Sequence, residues 1–128
     1  QQETWWRGLQ DRSSPHRYYE LWDDGIGGMG GLTNVDYING VAEIALLIDP
    51  MWKGKGYGTA AVAALLDEAF LRLRLLTVVG ECYQTNMDTV RFWEKMVHEH
   101  EGGWVTLPRR KWWAGRLYDS MWFTIPRP

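Results

Sequence analysis

The fold is decided by the stretch Lys53-Gly54-Lys55-Gly56-Tyr57-Gly58, called here the glycine loop. An apolar run that ends at Ile48 precedes it, and a helical pattern begins near Gly56, so the order is strand, loop and helix. Alternating glycines bring backbone N–H groups close to a ligand, and the N-terminus of the helix adds a positive dipole. The glycine loop therefore predicts a diphosphate site, with Lys53 and Lys55 as flanking cations.

Outside the glycine loop, apolar periodicity predicts an α/β protein with a mixed, mostly antiparallel sheet flanked by helices. The predicted strands are Arg17–Trp22, Gly28–Val35, Val41–Ile48, Leu76–Tyr83, Trp104–Leu107 and Leu117–Ile125, and the predicted helices are Gly56–Arg72 and Asp88–Val97. Residues Glu3–Leu9 are predicted to be the end of a helix. The cluster Gly25, Gly27, Gly28, Gly30 and Gly31 is interpreted as a turn, and Asn39-Gly40 as a hairpin turn.

Length and composition limit the class of protein. The chain has 128 residues, which we interpret as one domain spanning 1–128. A formal charge of −2 and a small basic run at Arg109-Arg110-Lys111 argue against nucleic acid as a partner. Cys82 is the only cysteine, so no intrachain disulfide forms and a cytoplasmic setting is the default expectation. No apolar run approaches the roughly 20 residues that span a bilayer, so no membrane association is expected.

The glycine loop resembles the motif of the GNAT superfamily, which comprises N-acyltransferases that depend on acetyl-coenzyme A. That family carries Gln/Arg-x-x-Gly-x-Gly/Ala between its fourth strand and third helix, and this chain has Lys53 at the first position. The family's next helix opens with an asparagine and has an aromatic residue seven positions later, which matches Asn86 and Trp93. The resemblance spans roughly Tyr18 to Ile125.

Further residues are similar to one branch of that family, the ribosomal-protein alanine/serine and spermidine N-acetyltransferases. They are Ala42-Glu43-Ile44, Leu66 to Phe70, Asn86 and the late Gly115-x-x-x-Asp119. The resemblance implies that acetyl-coenzyme A is the co-substrate and that a small-molecule or peptide amine accepts the acetyl group. It also implies a cofactor-binding set of Leu47, Ile48, Lys53, Gly54, Lys55, Gly56, Tyr57, Gly58, Thr59, Asn86 and Trp93.

Amide formation requires a base, because an alkylammonium must lose a proton before its nitrogen can attack a thioester. Glu81 is the first candidate, since some relatives carry a catalytic glutamate at this place on the strand before Asn86, and Glu43 is the second. The two side chains are expected to face one cleft. By resemblance, backbone N–H groups near Leu47 and Ile48 would hold the thioester carbonyl.

Two departures from the family pattern accompany the resemblance. Many relatives place a tyrosine, proposed to protonate the leaving thiolate, where this chain has Trp93, so Tyr83 and Tyr118 become candidate substitute acids. Family members also begin with a strand and a helix before the segment that matches Glu3–Leu9, and we expect these elements to be missing here. A coenzyme A-binding module without turnover is therefore an alternative function.

A dinucleotide-binding oxidoreductase is the other alternative, because Gly56-Tyr57-Gly58-Thr59-Ala60-Ala61 fits Gly-x-Gly-x-x-Ala before a helix. The chain is too short for paired dinucleotide halves, which argues against it. No metal is expected, because His98 and His100 lack a further histidine or cysteine nearby. The pair Trp112-Trp113 on a predicted edge is consistent with a homodimer contact.

Overall fold

A computed structural model describes residues 5–8, 16–22, 26–48, 54 and 56–128. Lys53 and Lys55 lie outside this part of the chain, and of Ile48 only the backbone is described. The strands are β1 (Trp5–Gly8), β2 (Arg17–Trp22), β3 (Ile26–Asp36), β4 (Val41–Ile48), β5 (Thr77–Tyr83), β6 (Gly103–Trp113) and β7 (Arg116–Pro126). The helices are α1 (Tyr57–Asp67) and α2 (Met87–Glu99), and Glu68–Arg72 forms a π-helical segment. The predicted α/β class, with a mostly antiparallel sheet, is confirmed.

The chain divides into two compact units, and the first comprises residues 1–78. Its strands lie in the order β1-β2-β3-β4, and every adjacent pair is antiparallel. Helix α1 packs against β3 and β4 because its apolar residues recur at helical spacing. The fully buried core includes Leu32, Ala42, Ala61, Val62 and Leu65. This packing fixes the start of α1, and with it the end of the glycine loop.

Two predictions in the first unit are wrong. The segment predicted as the end of a helix contains β1, which pairs with β2 from Trp5↔Trp22 to Gly8↔Tyr19. Tryptophan favours strands, and backbone pairing decides so short a segment. The described part of the glycine cluster lies inside β3 rather than in a turn. A Cβ at Gly31 would lie 2.6 Å from the carbonyl oxygen of Arg17, so this glycine permits the close approach of β2.

The predicted helix Gly56–Arg72 is confirmed in position but changes type at its end. Helix α1 stops at Asp67 and the π-helical segment follows. Glu68 in that segment accepts a hydrogen bond from the hydroxyl of Tyr19 at 2.7 Å and one from Arg72 Nε at 2.5 Å. Burial and the neighbouring Glu68 raise the pKa of the Tyr19 phenol. This network ties the end of the helix to β2.

The second unit comprises residues 79–128 and contains most of β5. Its strands lie in the order β5-β7-β6, and α2 packs against β6 and β7. Strand β6 extends well beyond the predicted Trp104–Leu107, because β7 pairs with it as far as Trp113↔Arg116. A bulge between Leu107 and Lys111 accommodates Pro108, and Arg109 within it has φ 58°. The residue types alone did not predict this part of β6.

Phe123 on β7 is the centre of the core of the second unit. Its ring lies against β5 at Gly80, where a Cβ would be 2.1 Å from the ring. Trp93 of α2 stacks on the same ring with centroids 4.7 Å apart, and Trp104 of β6 does so at 6.2 Å. Stacked aromatic rings bury a large apolar area. This packing holds β5, and the side chains that it presents, against β7. In the described part of the chain, no helix has both the length and the apolar character needed to cross a bilayer.

The hairpin β6–β7 turns through Ala114 and Gly115, which have φ values of 50° and 79°. This two-residue turn requires left-handed backbone at both positions, and alanine there costs about 1 kcal/mol. We expect Ala114→Asn to raise the free energy of unfolding by about that amount, because asparagine tolerates this conformation. Urea unfolding measures the change. Ala45→Asn, at an exposed position of β4 without left-handed backbone, is the control and should give no gain.

Candidate functional site

Two described glycines of the glycine loop have left-handed backbone. Gly54 and Gly56 have φ values of 77° and 82°, which side-chain-bearing residues rarely adopt. Both are exposed, and a Cβ built at either one would have no atom of the described residues within 4 Å. Among the described residues, no side chain caps α1, and its first turn contains no acidic residue. The loop therefore offers an open, uncapped helix N-terminus that is suited to an anion.

The next three residues begin α1 and differ in exposure. Tyr57 is buried and anchors the start of the helix in the first unit, Gly58 is half-buried and Thr59 is exposed. Their backbone N–H groups belong to the first helical turn, which has no carbonyl partner earlier in its own helix. The predicted contribution of Tyr57 to a ligand therefore comes from its backbone, whereas Thr59 also has an accessible hydroxyl.

Leu47 and Ile48 lie at the end of β4, in the same unit as the glycine loop. Their backbones pair with Met29 and Gly28 of β3, and the Leu47 side chain is 71% exposed. An exposed leucine at a strand end offers apolar surface to a ligand. The predicted hydrogen bond from this strand to a thioester carbonyl stays a prediction.

Glu43 lies on β4 beside a bulge in β3. Its Oε2 accepts a hydrogen bond from Asn34 Nδ2 at 3.2 Å. The backbone N–H of Asn34 donates to His16 Nδ1 at 3.1 Å, and Asn34 itself has φ 49°. Glu43 is half-buried. The second candidate carboxylate thus has one hydrogen-bond donor among the described side chains.

Glu81 on β5 lies in a denser network within the second unit. Tyr83 donates its hydroxyl to Glu81 Oε1 at 3.0 Å, and Ser120 on β7 donates its hydroxyl to Glu81 Oε2. Arg110 Nε lies 3.8 Å from the same Oε2, and the Glu81 side chain is 20% exposed. Lys111 Nζ lies 4.8 Å from the centroid of the Tyr83 ring. The structure therefore brings Glu81 and Tyr83 together and adds Ser120, which sequence reasoning missed.

The sequence contains a weak indication that Ser120 has a polar partner. Ser120 is a small polar residue of the predicted strand Leu117–Ile125, and the structure buries it completely. A buried hydroxyl needs a partner, so such a residue predicts a polar neighbour on an adjacent strand. Nothing in the sequence identifies that neighbour as Glu81, because the two positions are 39 apart.

Asn86 and Trp93 occupy different environments on α2. Asn86 is the N-cap, and its Oδ1 accepts a hydrogen bond from the backbone N–H of Thr89 at 3.2 Å. Trp93 is 6% exposed and stacks on Phe123. The indole of Trp93 therefore belongs to the core, and its place in the cofactor-binding set stays a prediction. The candidate acid Tyr118 has the Arg116 guanidinium 5.3 Å from its ring centroid.

Cys82 lies on β5 beside Glu81, but its thiol is protected. It is 3% exposed, and burial, followed by the charges of Glu81 and Glu94, raises its pKa to about 11. A thiol in this state is a poor nucleophile near neutral pH. No group of three or more histidine, cysteine or acidic residues that could hold a metal occurs among the residues that the structure describes. The expected absence of a metal stays a prediction.

The two halves of the predicted site lie in different units. Leu47, Ile48, Glu43 and the described glycine-loop residues belong to the first, and Glu81, Tyr83, Asn86 and Trp93 belong to the second. Within each unit the geometry suits the predicted chemistry. The expectation that Glu43 and Glu81 face one cleft stays a prediction.

Comparisons with known proteins give a consistent picture. Residues 1–96 match the family described as "Acetyltransferase (GNAT) domain". The uncharacterized N-acetyltransferase YnaD of Bacillus subtilis is 27% identical over 78 residues, a match that covers 59% of this chain and 46% of that protein. The match thus spans about half the length of this curated relative.

Solved structures of a spermidine N-acetyltransferase, SpeG from Vibrio cholerae, share the fold. A SpeG chimera has a TM-score of 0.77 at 24% identity and covers 89% of this chain and 68% of its own. A second SpeG structure, described as a complex with manganese ions, has a TM-score of 0.75 at 23% identity and covers 90% of this chain and 67% of its own.

Proposed function

This chain belongs to the GNAT acetyltransferase family, and we propose that it transfers an acetyl group from acetyl-coenzyme A to a primary amine. The observation that carries the proposal is the glycine loop, where Gly54 and Gly56 adopt left-handed backbone with open space in front of them. The loop leads into a helix whose first turn contains no acidic residue and which no side chain of the described part of the chain caps. These features suit a ligand that carries phosphates.

The residues present fit coenzyme A. Backbone N–H groups of the glycine loop and of Tyr57, Gly58 and Thr59 would hold its diphosphate, and Lys53 and Lys55 supply two cations in the same stretch. Exposed Leu47 would contact the apolar part of the ligand from β4. The bound thioester supplies an activated acetyl group.

We propose direct attack by the amine, with both substrates bound. A carboxylate of the protein removes one proton from the alkylammonium, and the nitrogen lone pair then forms a bond to the acetyl carbon. The carbon–sulfur bond breaks and the sulfur leaves with the electron pair. The second proton lost by nitrogen neutralises that thiolate, so the products are an amide and a free thiol. Glu81 is the preferred base and Glu43 the alternative.

The state of Cys82 favours direct attack over a covalent acetyl-enzyme. Its pKa of about 11 keeps the thiol protonated at neutral pH. We expect Cys82→Ala to keep kcat within about twofold of the unmodified protein. We also expect mass spectrometry of the intact protein, incubated with acetyl-coenzyme A alone, to detect no added acetyl group. Loss of turnover in Cys82→Ala with unchanged thermal stability would instead favour a relay through this thiol.

The acceptor class is proposed from the fold neighbours. Spermidine is the substrate that their name gives, so polyamines are the first amines to test. A thiol-release assay with acetyl-coenzyme A and a panel of amines tests the proposal, and we expect faster release with at least one amine than with none. The panel comprises spermidine, an aminoglycoside, an amino sugar and a peptide with a free N-terminus.

A coenzyme A-binding module without turnover is the second candidate. Trp93 favours this candidate, because an indole has no acidic proton to give to a leaving thiolate. Binding in calorimetry together with no thiol release from any amine in the panel would support it. Family membership gives the dinucleotide alternative no support.

A further inference from the structure

We propose that Ser120 and Tyr83 are positioning residues that hold the carboxylate of Glu81, with one hydroxyl donor on each oxygen. In this arrangement the phenolic proton of Tyr83 is directed at Glu81 rather than at a leaving thiolate. The inference rests on the proposed acetyltransferase function, because it assigns roles around the preferred base of that reaction.

The burial of Ser120 carries the first part of the inference. It is the buried polar residue of the described chain, with 0% exposure, and it lies on β7. A buried hydroxyl without a hydrogen bond costs free energy, so its partner matters. That partner is Glu81 Oε2, and an ionised carboxylate only accepts hydrogen bonds, so the serine must donate.

The position of Tyr83 carries the second part. It is two residues from Glu81 on β5, so both side chains lie on the same face of the strand. Its hydroxyl lies 3.0 Å from Glu81 Oε1, and Lys111 lies over its ring. A phenol that donates to a carboxylate has no second proton to give. Tyr83 therefore suits the orientation of Glu81 better than the role of a general acid.

The network leaves Glu81 free to act as a base. An ionised carboxylate has about four acceptor positions, and the two hydroxyls occupy one on each oxygen. Arg110 Nε, at 3.8 Å, contributes charge from a longer distance. Within the part of the chain that the structure describes, these contacts leave lone pairs of Glu81 for an ammonium group or a water molecule. Fixed orientation matters because proton transfer depends on geometry.

The experiment measures kcat and KM of Ser120→Ala and Tyr83→Phe, alone and combined with Glu81→Gln. We expect each single variant to lower kcat about 10-fold to 100-fold, the range for a hydrogen bond to a charged group, and to change both KM values less than about twofold. In the Glu81→Gln background we expect neither change to lower kcat further, because residues that act through one group are not additive. Tyr37→Phe, which removes the hydroxyl of an exposed tyrosine, is the matched control and should leave kcat unchanged.

The outcomes separate the inference from the function on which it rests. If the unmodified protein releases no thiol with any amine, the proposed function fails and the inference fails with it. A second outcome is that the unmodified protein is active while Ser120→Ala and Tyr83→Phe lower kcat by the same factor in the Glu81→Gln background as in the unmodified protein. That result overturns the positioning role and leaves the proposed function in place. A further loss for Tyr83→Phe only, in the Glu81→Gln background, would return Tyr83 to the role of general acid. Since Ser120 is fully buried, half-buried Tyr83 keeps the test decisive if Ser120→Ala does not fold.

Discussion

We expect the replacement of Gly56 with glutamate to abolish the binding of coenzyme A, and the same replacement at Gly115 to leave it intact. At Gly56 the new side chain enters the open space in front of the first turn of α1. Its carboxylate competes with the phosphates for the same N–H groups and repels them, and like charges in contact cost several kcal/mol. We therefore expect affinity to fall by about 100-fold or more in calorimetry.

Gly115 is a close match as a control. Its φ of 79° differs little from the 82° of Gly56, and a Cβ at either position meets no atom within 4 Å in the part of the chain that the structure describes. Both variants therefore carry the same backbone strain and the same added charge. Gly115 lies in the β6–β7 turn, outside the glycine loop. An equal loss of affinity in the two variants would mean that backbone strain causes the effect. Unchanged affinity in Gly56→Glu would refute the phosphate site.

Periodicity in the sequence was sufficient for the elements that bury one face. The helix predicted at Asp88–Val97 and the strand predicted at Val41–Ile48 are confirmed closely, because their apolar spacing and their burial have the same cause. The segments that periodicity misjudged are held by pairing instead. Strand β1 and the distal part of β6 depend on partner strands, and local residue preference does not reveal such partners.

The candidate site shows the same contrast between features that depend on local sequence and features that depend on the pairing of strands. The glycine loop is local, so the sequence alone was enough to single it out, and the structure adds that Gly54 and Gly56 have left-handed backbone. Glu81 and Tyr83 are two apart on a predicted strand, so their shared face was also accessible. Ser120 and Arg110 lie near Glu81 because the strands pair in the order β5-β7-β6. Residues that orient a catalytic group from another strand require the fold itself.

We expect Glu81→Gln to lower kcat by about 100-fold to 10,000-fold while leaving the affinity for coenzyme A unchanged, since glutamine cannot accept the proton. Glu43→Gln should have a much smaller effect. Glutamine has nearly the shape of glutamate, and at position 43 its amide oxygen can still accept the hydrogen bond from Asn34. Steady-state kinetics with the best amine of the panel, together with calorimetry, measures both quantities.

The structure gives a reason to prefer Glu81. Its two oxygens have hydroxyl donors from a fully buried serine and a half-buried tyrosine, whereas among the described residues the side-chain donor to Glu43 is one exposed amide. A base held at both oxygens retains its orientation when the ammonium arrives, so less ordering remains for the reaction step. Glu99→Gln is the matched control in the same unit, because Glu99 pairs only loosely with Lys95, at 3.9 Å. If Glu81→Gln retains full turnover and Glu43→Gln loses it, the base is Glu43, and the hydroxyl network on β5 has a structural role only.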